Sequence, residues 1–264
     1  MAEIENTVNV SGSRQSIDGG IGTGWPMKIW DPSKSDFHHI INNPDGDVSV
    51  ADLSEYFDTH IELNSDRFGA VKNVLYQSLT QKASQNTQSW YELYYESPSN
   101  ITDGDMYIKY WMKFPANLKE SVGHNSWRSV FFWKTLDTDY RIEAYVSTNT
   151  NIHPNGDLHF YIHGDRPNTI SGEYKEDWQV RNKEVVVPLA EWFLMEFFWH
   201  RSHEPDGRVY WAVNGEVIAD HYEQNYGDYN NHINRICPFG VYGIPDIYPS
   251  EQWIDDVEIL DGFP

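Results

Sequence analysis

From about residue 70 onward, the chain is a succession of short runs in which apolar and polar residues alternate, separated by turns rich in Gly, Pro, Asn and Asp. Alternation with a period of two is the pattern of a half-buried β-strand, and many such runs at short spacing predict an antiparallel sandwich. We expect strands near residues 72–80, 88–96, 105–114, 127–135, 139–147, 157–163, 192–202, 207–213, 216–220, 236–243 and 252–260. No helical period persists long enough to compete with this interpretation.

The 264 residues contain no internal repeat and no clear linker, so one β-sandwich domain over residues 26–264 is the economical organisation. Residues 1–25 are polar and glycine-rich and are expected to form a flexible or surface-draped lead. They lack the basic start, apolar run and cleavage site of a secretory signal, so either the protein is not secreted or a signal was removed before the numbering begins. The single cysteine, Cys237, excludes an intrachain disulfide framework.

The charge balance excludes several kinds of partner. The chain has 19 Lys+Arg against 40 Asp+Glu and a formal net charge of −21. A protein that binds nucleic acid needs clustered cations to replace the counterions of the phosphates, so no nucleic acid partner is expected. The most apolar stretch, residues 185–199, is interrupted by Pro188, Glu191 and Glu196, and we therefore expect no insertion into a membrane.

Aromatic residues reach 15% of the chain, and this large ring area must be either buried or used for binding. The predicted alternation places polar and aromatic side chains together on one face of three neighbouring strands. Strand 157–163 presents His159, Tyr161 and His163, strand 139–147 presents Arg141, Glu143 and Tyr145, and strand 127–135 presents Arg128 and Lys134. Such a face suits an extended sugar chain, whose rings stack on aromatics; the alternative is a face that is merely exposed to water.

A family resemblance rests on the C-terminal part of the chain. Trp192 opens a strand that is followed by turns at Asp206-Gly207 and Asn214-Gly215, and a late strand carries Phe239-Gly240-Val241-Tyr242. This succession resembles the concanavalin A-like jelly-roll polysaccharide lyases, which include alginate, glucuronan, heparin and ulvan lyases. The resemblance implies an all-β jelly roll with a concave ligand-binding sheet. It also implies β-elimination on a polysaccharide that contains uronic acid.

The resemblance assigns roles to residues of this chain. Tyr242 takes the place of the catalytic tyrosine, with His159 or His163 as a base and Lys134, Arg128 or Arg141 as the group that neutralises the substrate carboxylate. Tyr161, Tyr145, Glu92 and Tyr94 are expected to bind the substrate. Two positions depart from the family pattern. The usual Gln-x-His of a middle strand is replaced by Phe132 and Lys134, and the arginines that usually flank the Glu92 position are replaced by Trp90 and Tyr94.

These departures leave a second interpretation open, a non-catalytic carbohydrate-binding protein or a virion or surface structural protein of the same fold. For metals, the resemblance implies a structural calcium ion at Asp255 or Asp256, whose hard oxygens suit that ion. Residues 43–52 also resemble a calcium loop, but its first ligand position holds Ile41, which cannot coordinate. No organic cofactor is expected, since no phosphate loop or dinucleotide fingerprint appears.

Overall fold

The computed structural model of the protein describes residues 26–30, 38–42, 57–80, 88–94, 105–135, 139–167, 173–225, 233–243, 247–260 and 263. The predicted lead over residues 1–25 and the calcium-like loop over residues 43–52 lie outside the described residues. Within the described ranges the chain forms strands almost throughout, and one short helix, α1 (Leu118–Val122), precedes a central strand. No helix in these ranges has the length and apolar character that crossing a bilayer requires.

The strands come in the following order along the chain. The first eight are β1 (Pro26–Trp30), β2 (His38–Asn42), β3 (Phe57–Ser65), β4 (Val71–Leu79), β5 (Gln88–Tyr94), β6 (Asp105–Lys113), β7 (Trp127–Thr135) and β8 (Arg141–Ser147). The remaining strands are β9 (His159–Pro167), β10 (Tyr174–Asn182), β11 (Trp192–His200), β12 (Arg208–Val213), β13 (Glu216–Tyr222), β14 (Ile233–Gly243) and β15 (Ser250–Leu260).

The strands form two sheets, and their recorded pairings are antiparallel. One sheet has the order β13, β12, β11, β6, β15, β4, β3, with β1 paired to β15 as its eighth strand. The other has the order β10, β9, β8, β7, β14, β5, β2. The prediction of an all-β antiparallel sandwich is therefore confirmed, and each strand expected from the alternation is present. Strands β1, β2, β3 and β10 and the helix were not expected.

The core between the sheets is built largely from aromatic rings. Phe131 of one sheet stacks on Phe197 of the other with ring centroids 3.9 Å apart and an interplanar angle of 10°. Trp133 and Trp211 contact this pair, Trp199 packs against Trp133, and all three are fully buried. Burying a large apolar side chain contributes roughly 1.5–3 kcal/mol, so much of the aromatic area stabilises the sandwich rather than a ligand.

A β-bulge in β7 changes which side chains share a face. Ser129 lies opposite Tyr145, but Phe131 lies opposite Ala144, so one extra residue is inserted between Ser129 and Phe131. A bulge of this kind reverses the alternation on its far side. Arg128 is consequently buried between the sheets, where it donates to Ser250 Oγ at 2.9 Å and Gln252 Oε1 at 2.8 Å. The prediction that Arg128 shares a face with Lys134 is wrong for this reason.

Candidate functional site

The outer face of the seven-stranded sheet carries a row of residues that the strand register sets side by side. Ser129 of β7 lies opposite Tyr145 of β8, which lies opposite Tyr161 of β9, which lies opposite Arg181 of β10. On the other side of Ser129, the backbone of Tyr242 in β14 occupies the next position of the same row. Adjacent positions in such a row are about 5 Å apart. We call this set the central row.

His163 is the most connected side chain next to the central row. Its Nδ1 lies 2.9 Å from Glu176 Oε2 and 2.9 Å from the hydroxyl of Tyr161. Its Nε2 makes longer contacts, 3.4 Å to Glu143 Oε2 and 3.5 Å to the hydroxyl of Tyr145. Burial alone would lower the pKa of His163, but the hydrogen bonds to Glu143 and Glu176 outweigh burial and raise it above the ordinary value. The imidazole therefore makes short hydrogen bonds through Nδ1 and longer, weaker contacts through Nε2.

The neighbouring carboxylate and phenols have shifted pKa values that follow from the same contacts. Burial would raise the pKa of Glu143, but the hydrogen bond from His163 and the charges of Arg141 and Lys134 lower it to about 2. Tyr145 donates to Glu143 Oε2 at 2.6 Å, and its pKa is raised by burial and by that carboxylate. The pKa of Tyr161 is also raised, by burial and by Glu176, so Tyr145 and Tyr161 are both neutral hydroxyl groups.

Arg141 is bound by a buried carboxylate. Its Nε and NH2 groups donate to the two oxygens of Asp165 at 2.6 and 2.7 Å, and Glu143 lies 3.6 Å away. Glu143, His163 and Asp165 also form a group that is able to hold a metal ion, with ligating atoms all within 4.8 Å of one another. A metal ion there would compete with Arg141 for both oxygens of Asp165. The guanidinium already supplies the positive charge that these carboxylates require.

A cleft of about 300 Å³ opens beside the central row. It is lined by Asn125, Ser126, Trp127, Tyr145, Ser147, Asn149, Tyr161, His163 and Arg181. Within the lining, the indole of Trp127 makes an edge contact with Tyr145 at a centroid distance of 5.1 Å. The cleft thus combines aromatic rings, amides, hydroxyls, an imidazole and a cation, which is a donor set suited to a polyhydroxylated ligand.

Arg181 is one of several residues of this cleft that were not predicted from the sequence. Its guanidinium lies over the ring of Tyr161, 4.0 Å from the centroid, and its Nε donates to Gln179 Oε1 at 2.7 Å. Among the described residues it makes no ion pair with a carboxylate within 4.0 Å. The alternation of apolar and polar residues over Trp178, Gln179, Val180 and Arg181 could have indicated a strand here. The charged residues in the same segment made it resemble a loop.

Other predicted site residues lie away from the cleft. The common face of His159, Tyr161 and His163 is confirmed by the register, but His159 is fully buried and stacks on His153 with ring centroids 6.4 Å apart. The common face of Arg141, Glu143 and Tyr145 is confirmed as well. Lys134 is not among the residues that line the cleft, and its Nζ lies 4.4 Å from the centroid of the Phe132 ring.

Three predicted residues are described by their backbone only. In β5, Glu92 lies opposite His38 and Tyr94 lies opposite Arg235, at the far side of β14 from the cleft. Tyr242 occupies the central row as stated above. The side chains of all three lie outside the described part of the chain, so their roles stay predictions.

The two aspartates predicted to bind calcium lie at a bulge in β15. Asp256 forms an ion pair with Arg67 at 2.5 Å, and Asp255 Oδ1 accepts the backbone N–H of Asp256 at 2.9 Å. Calcium prefers six to eight oxygen ligands. Since one carboxylate is already paired with a guanidinium, these contacts do not favour the ion, and the calcium site stays a prediction.

The two sheets form a jelly-roll β-sandwich, and the cleft opens on the outer face of one of them. No protein-family model matches the sequence, and no curated protein matches it. A mutant alginate lyase in complex with an alginate trisaccharide superposes with a TM-score of 0.54 at 12% identity, covering 84% of this chain and 98% of that one. An endo-β-1,4-glucuronan lyase from the fungus Trichoderma reesei superposes with a TM-score of 0.52 at 8% identity, covering 78% and 88%.

These comparisons show the fold: the chain has the jelly-roll architecture of the polysaccharide lyases, as the resemblance in the C-terminal strands implied. At such identities a shared architecture carries no information about reaction or substrate, because one fold supports many functions. The function must be argued from the cleft itself.

Proposed function

We propose that the protein cleaves a uronic-acid-containing polysaccharide by β-elimination in the cleft beside the central row. The observation that carries the proposal is the juxtaposition of His163, fixed at Nδ1 by Glu176 and Tyr161, with Arg181, a cation that has no carboxylate partner among the described residues. Elimination next to a carboxylate needs both a base and a neutralising group, because charge develops on the carboxylate as the proton leaves.

The proposed step uses groups of this chain only. Arg181 binds the uronate carboxylate, and His163 takes the C5 proton at Nε2, its more loosely held nitrogen. The electron pair of that C–H bond forms the C4=C5 double bond while the C4–O4 bond breaks. The leaving O4 takes a proton from the hydroxyl of Tyr242, as the family resemblance implies. The proton on His163 then returns to Tyr242 through solvent, so that both residues regain their starting states.

The test is to incubate the protein with alginate, glucuronan and heparin and to follow the ultraviolet absorbance of the unsaturated product. We expect product from at least one polymer. Arg181→Gln should lower kcat/KM by about 10²- to 10³-fold, the usual effect of removing a group that stabilises developing charge. Tyr242→Phe should remove activity while leaving binding in place.

The matched control is Lys175→Gln, which removes an exposed cation from the same strand as Arg181 outside the cleft. Activity should be unchanged in this variant. The site assignment is overturned if Lys175→Gln and Arg181→Gln lose activity equally, or if Tyr242→Phe is fully active. The reaction itself is overturned if no acidic polysaccharide gives product.

A second function, glycan binding without cleavage, is favoured by one observation. Both nitrogens of His163 already face carboxylates, Glu143 and Glu176, and this pairing favours the protonated imidazole, which is not a base. Under this alternative a polyuronate binds, Trp127→Ala weakens the binding, and no unsaturated product forms at any pH.

A further inference from the structure

The outer face of the eight-stranded sheet, on the opposite side of the sandwich from the cleft, carries a second row of aromatic residues. Tyr76 of β4 lies opposite Trp253 of β15, Trp253 lies opposite Lys113 of β6, and Lys113 lies opposite Trp192 of β11. All four side chains are half-buried. We call this set the aromatic platform. Its two indoles are two strands, or ~10 Å, apart, a distance that an extended oligosaccharide spans.

The polar edges of the platform rings are satisfied, whereas ring surface remains exposed. Trp253 Nε1 donates to Glu62 Oε1 at 2.7 Å, and Trp192 Nε1 donates to the carbonyl oxygen of Ser65 at 2.8 Å. Tyr76 donates its hydroxyl to Glu251 Oε1 at 2.8 Å, and its ring centroid lies 5.6 Å from that of Trp253. These bonds fix the rings in position, which lowers the entropy lost when a ligand stacks on them.

A neighbouring aromatic cluster on the same face is covered by another aromatic ring. Tyr107, Phe198 and Tyr210 are capped by the ring of Phe263, with centroid distances of 5.6, 5.1 and 5.1 Å. Among the described residues, no ring makes such a contact with Trp192, and the ring that contacts Trp253 is that of Tyr76, its neighbour in the platform. Within the described part of the chain, Phe263 therefore covers one aromatic patch of the face, whereas the platform rings are only half-buried.

Lys113 gives the platform a hydrogen-bond donor between its rings. Its Nζ lies 5.1 Å from the centroid of Trp253 and 5.9 Å from that of Trp192. In the described ranges it makes no ion pair with a carboxylate. Glu62 and Glu251 flank the rings on the other side as acceptors. One ammonium and two carboxylates around flat rings are suited to a row of hydroxyl groups.

We propose that the aromatic platform is a second binding site, separate from the cleft, for a neutral pyranose polysaccharide. The C–H faces of pyranose rings stack on Trp192 and Trp253, since the negative face of an aromatic ring attracts weakly positive C–H groups. The sugar hydroxyls accept from Lys113 and donate to Glu62 and Glu251. A carboxylated chain is disfavoured, because the platform carries two carboxylates against one ammonium and the whole chain has a net charge of −21.

The experiment is affinity electrophoresis of the full chain in gels that contain either hydroxyethylcellulose, a neutral probe, or alginate, an acidic one. We expect hydroxyethylcellulose to retard the wild-type protein. Trp192→Ala and Trp253→Ala, each confirmed as folded by its circular dichroism spectrum, should weaken this binding about tenfold, as loss of one aromatic contact predicts. Lys113→Gln should weaken it less, and Tyr222→Ala, an exposed aromatic on the same sheet, should leave it unchanged.

The proposal is overturned if hydroxyethylcellulose fails to retard the wild type, if folded Trp192→Ala and Trp253→Ala variants are retarded as strongly, or if the platform variants lose binding to alginate only. Failure of this proposal can be distinguished from failure of the proposed elimination, because the two depend on different residues. Lyase activity depends on Arg181 and Tyr242 on the other sheet and should persist in the platform variants, whereas neutral-glycan binding should persist in Arg181→Gln.

Discussion

At the scale of single residues, the proposed elimination depends on His163, because the charge state of its imidazole determines whether it can accept a proton. Its pKa is raised by Glu143 and Glu176 against the effect of burial. A histidine whose folded-state pKa is raised stabilises the fold below its unfolded value of about 6.5, and this stabilisation is lost as the pH rises through the folded value. Activity that uses His163 as a base has the opposite pH dependence, because the imidazole can accept a proton only after it has lost its own.

The first prediction concerns pH. The kcat/KM for elimination should rise with pH along a limb that lies above pH ~6.5, the ordinary pKa of histidine. Glu176→Gln removes one of the two carboxylates at 2.9–3.4 Å from the ring and should move this limb to lower pH. NMR titration of the His163 ring should show the same shift.

The control for this prediction is Glu184→Gln, which removes an exposed carboxylate and should leave the pH limb of kcat/KM in place. If Glu176→Gln also leaves the limb in place, His163 is not the base.

The second prediction compares two carboxylates that bind arginine in the same bidentate manner. Asp165 holds Arg141 with its side chain 4% exposed, whereas Asp220 holds Arg208 with its side chain 36% exposed. Asp165→Asn should lower the free energy of unfolding by about 3 kcal/mol, because it removes the bidentate partner of a largely buried guanidinium and leaves it only the more distant Glu143, 3.6 Å away. Asp220→Asn should cost less than about 1 kcal/mol, since water screens the exposed pair. Urea denaturation measures both, and equal losses would contradict the argument from burial.

At the scale of elements, alternation along the chain predicted most strands. It did not predict the bulge in β7 or the charged strand β10, which together determine which side chains reach the cleft. The run from Arg141 to Ser147 keeps a strict period of two, and its face assignment was confirmed. In β7 the bulge after Ser129 inserts a residue that no local pattern announces, because Val130, Phe131 and Phe132 are all apolar. Strand β10 was missed because six of its nine residues are charged or carry a side-chain amide: Lys175, Glu176, Asp177, Gln179, Arg181 and Asn182. Arg181 was missed with it.

The third prediction tests how closely β9 and β10 are packed. A Cβ added at Gly164 would overlap the indole of Trp178 and the hydroxyl of Tyr140, which are buried and hydrogen-bonded to each other at 2.8 Å. Gly164→Ala should therefore cost ~1–3 kcal/mol of stability through overpacking. Gly215→Ala is the control, because φ there is +78° but no atom lies within 4 Å of the added Cβ. It should cost about 1 kcal/mol through backbone strain alone, and thermal unfolding should rank Gly164→Ala as the more damaging.

At the scale of the whole molecule, the negative charge is unevenly distributed. The cleft network has balanced charges when His163 is protonated, since Arg141, Arg181 and His163 then match Glu143, Asp165 and Glu176. It carries one net negative charge when His163 is neutral, while the chain as a whole carries −21. An acidic polysaccharide therefore meets long-range repulsion from the molecule and short-range attraction from Arg181. The repulsion acts over a longer distance than the attraction, so added salt screens the repulsion first.

The last prediction follows from that difference. The Debye length is about 30 Å at 0.01 M salt and about 8 Å at 0.15 M, so moderate salt screens the distant carboxylates while a contact within the cleft survives. The kcat/KM for a polyuronate should rise between these concentrations and fall only at higher salt, where the contact with Arg181 is itself weakened. Binding of hydroxyethylcellulose to the aromatic platform should stay constant across the same range, because that ligand is uncharged. If kcat/KM instead falls steadily from the lowest salt, the attraction of local cations governs the approach of the polymer, and the acidic surface plays no part in it.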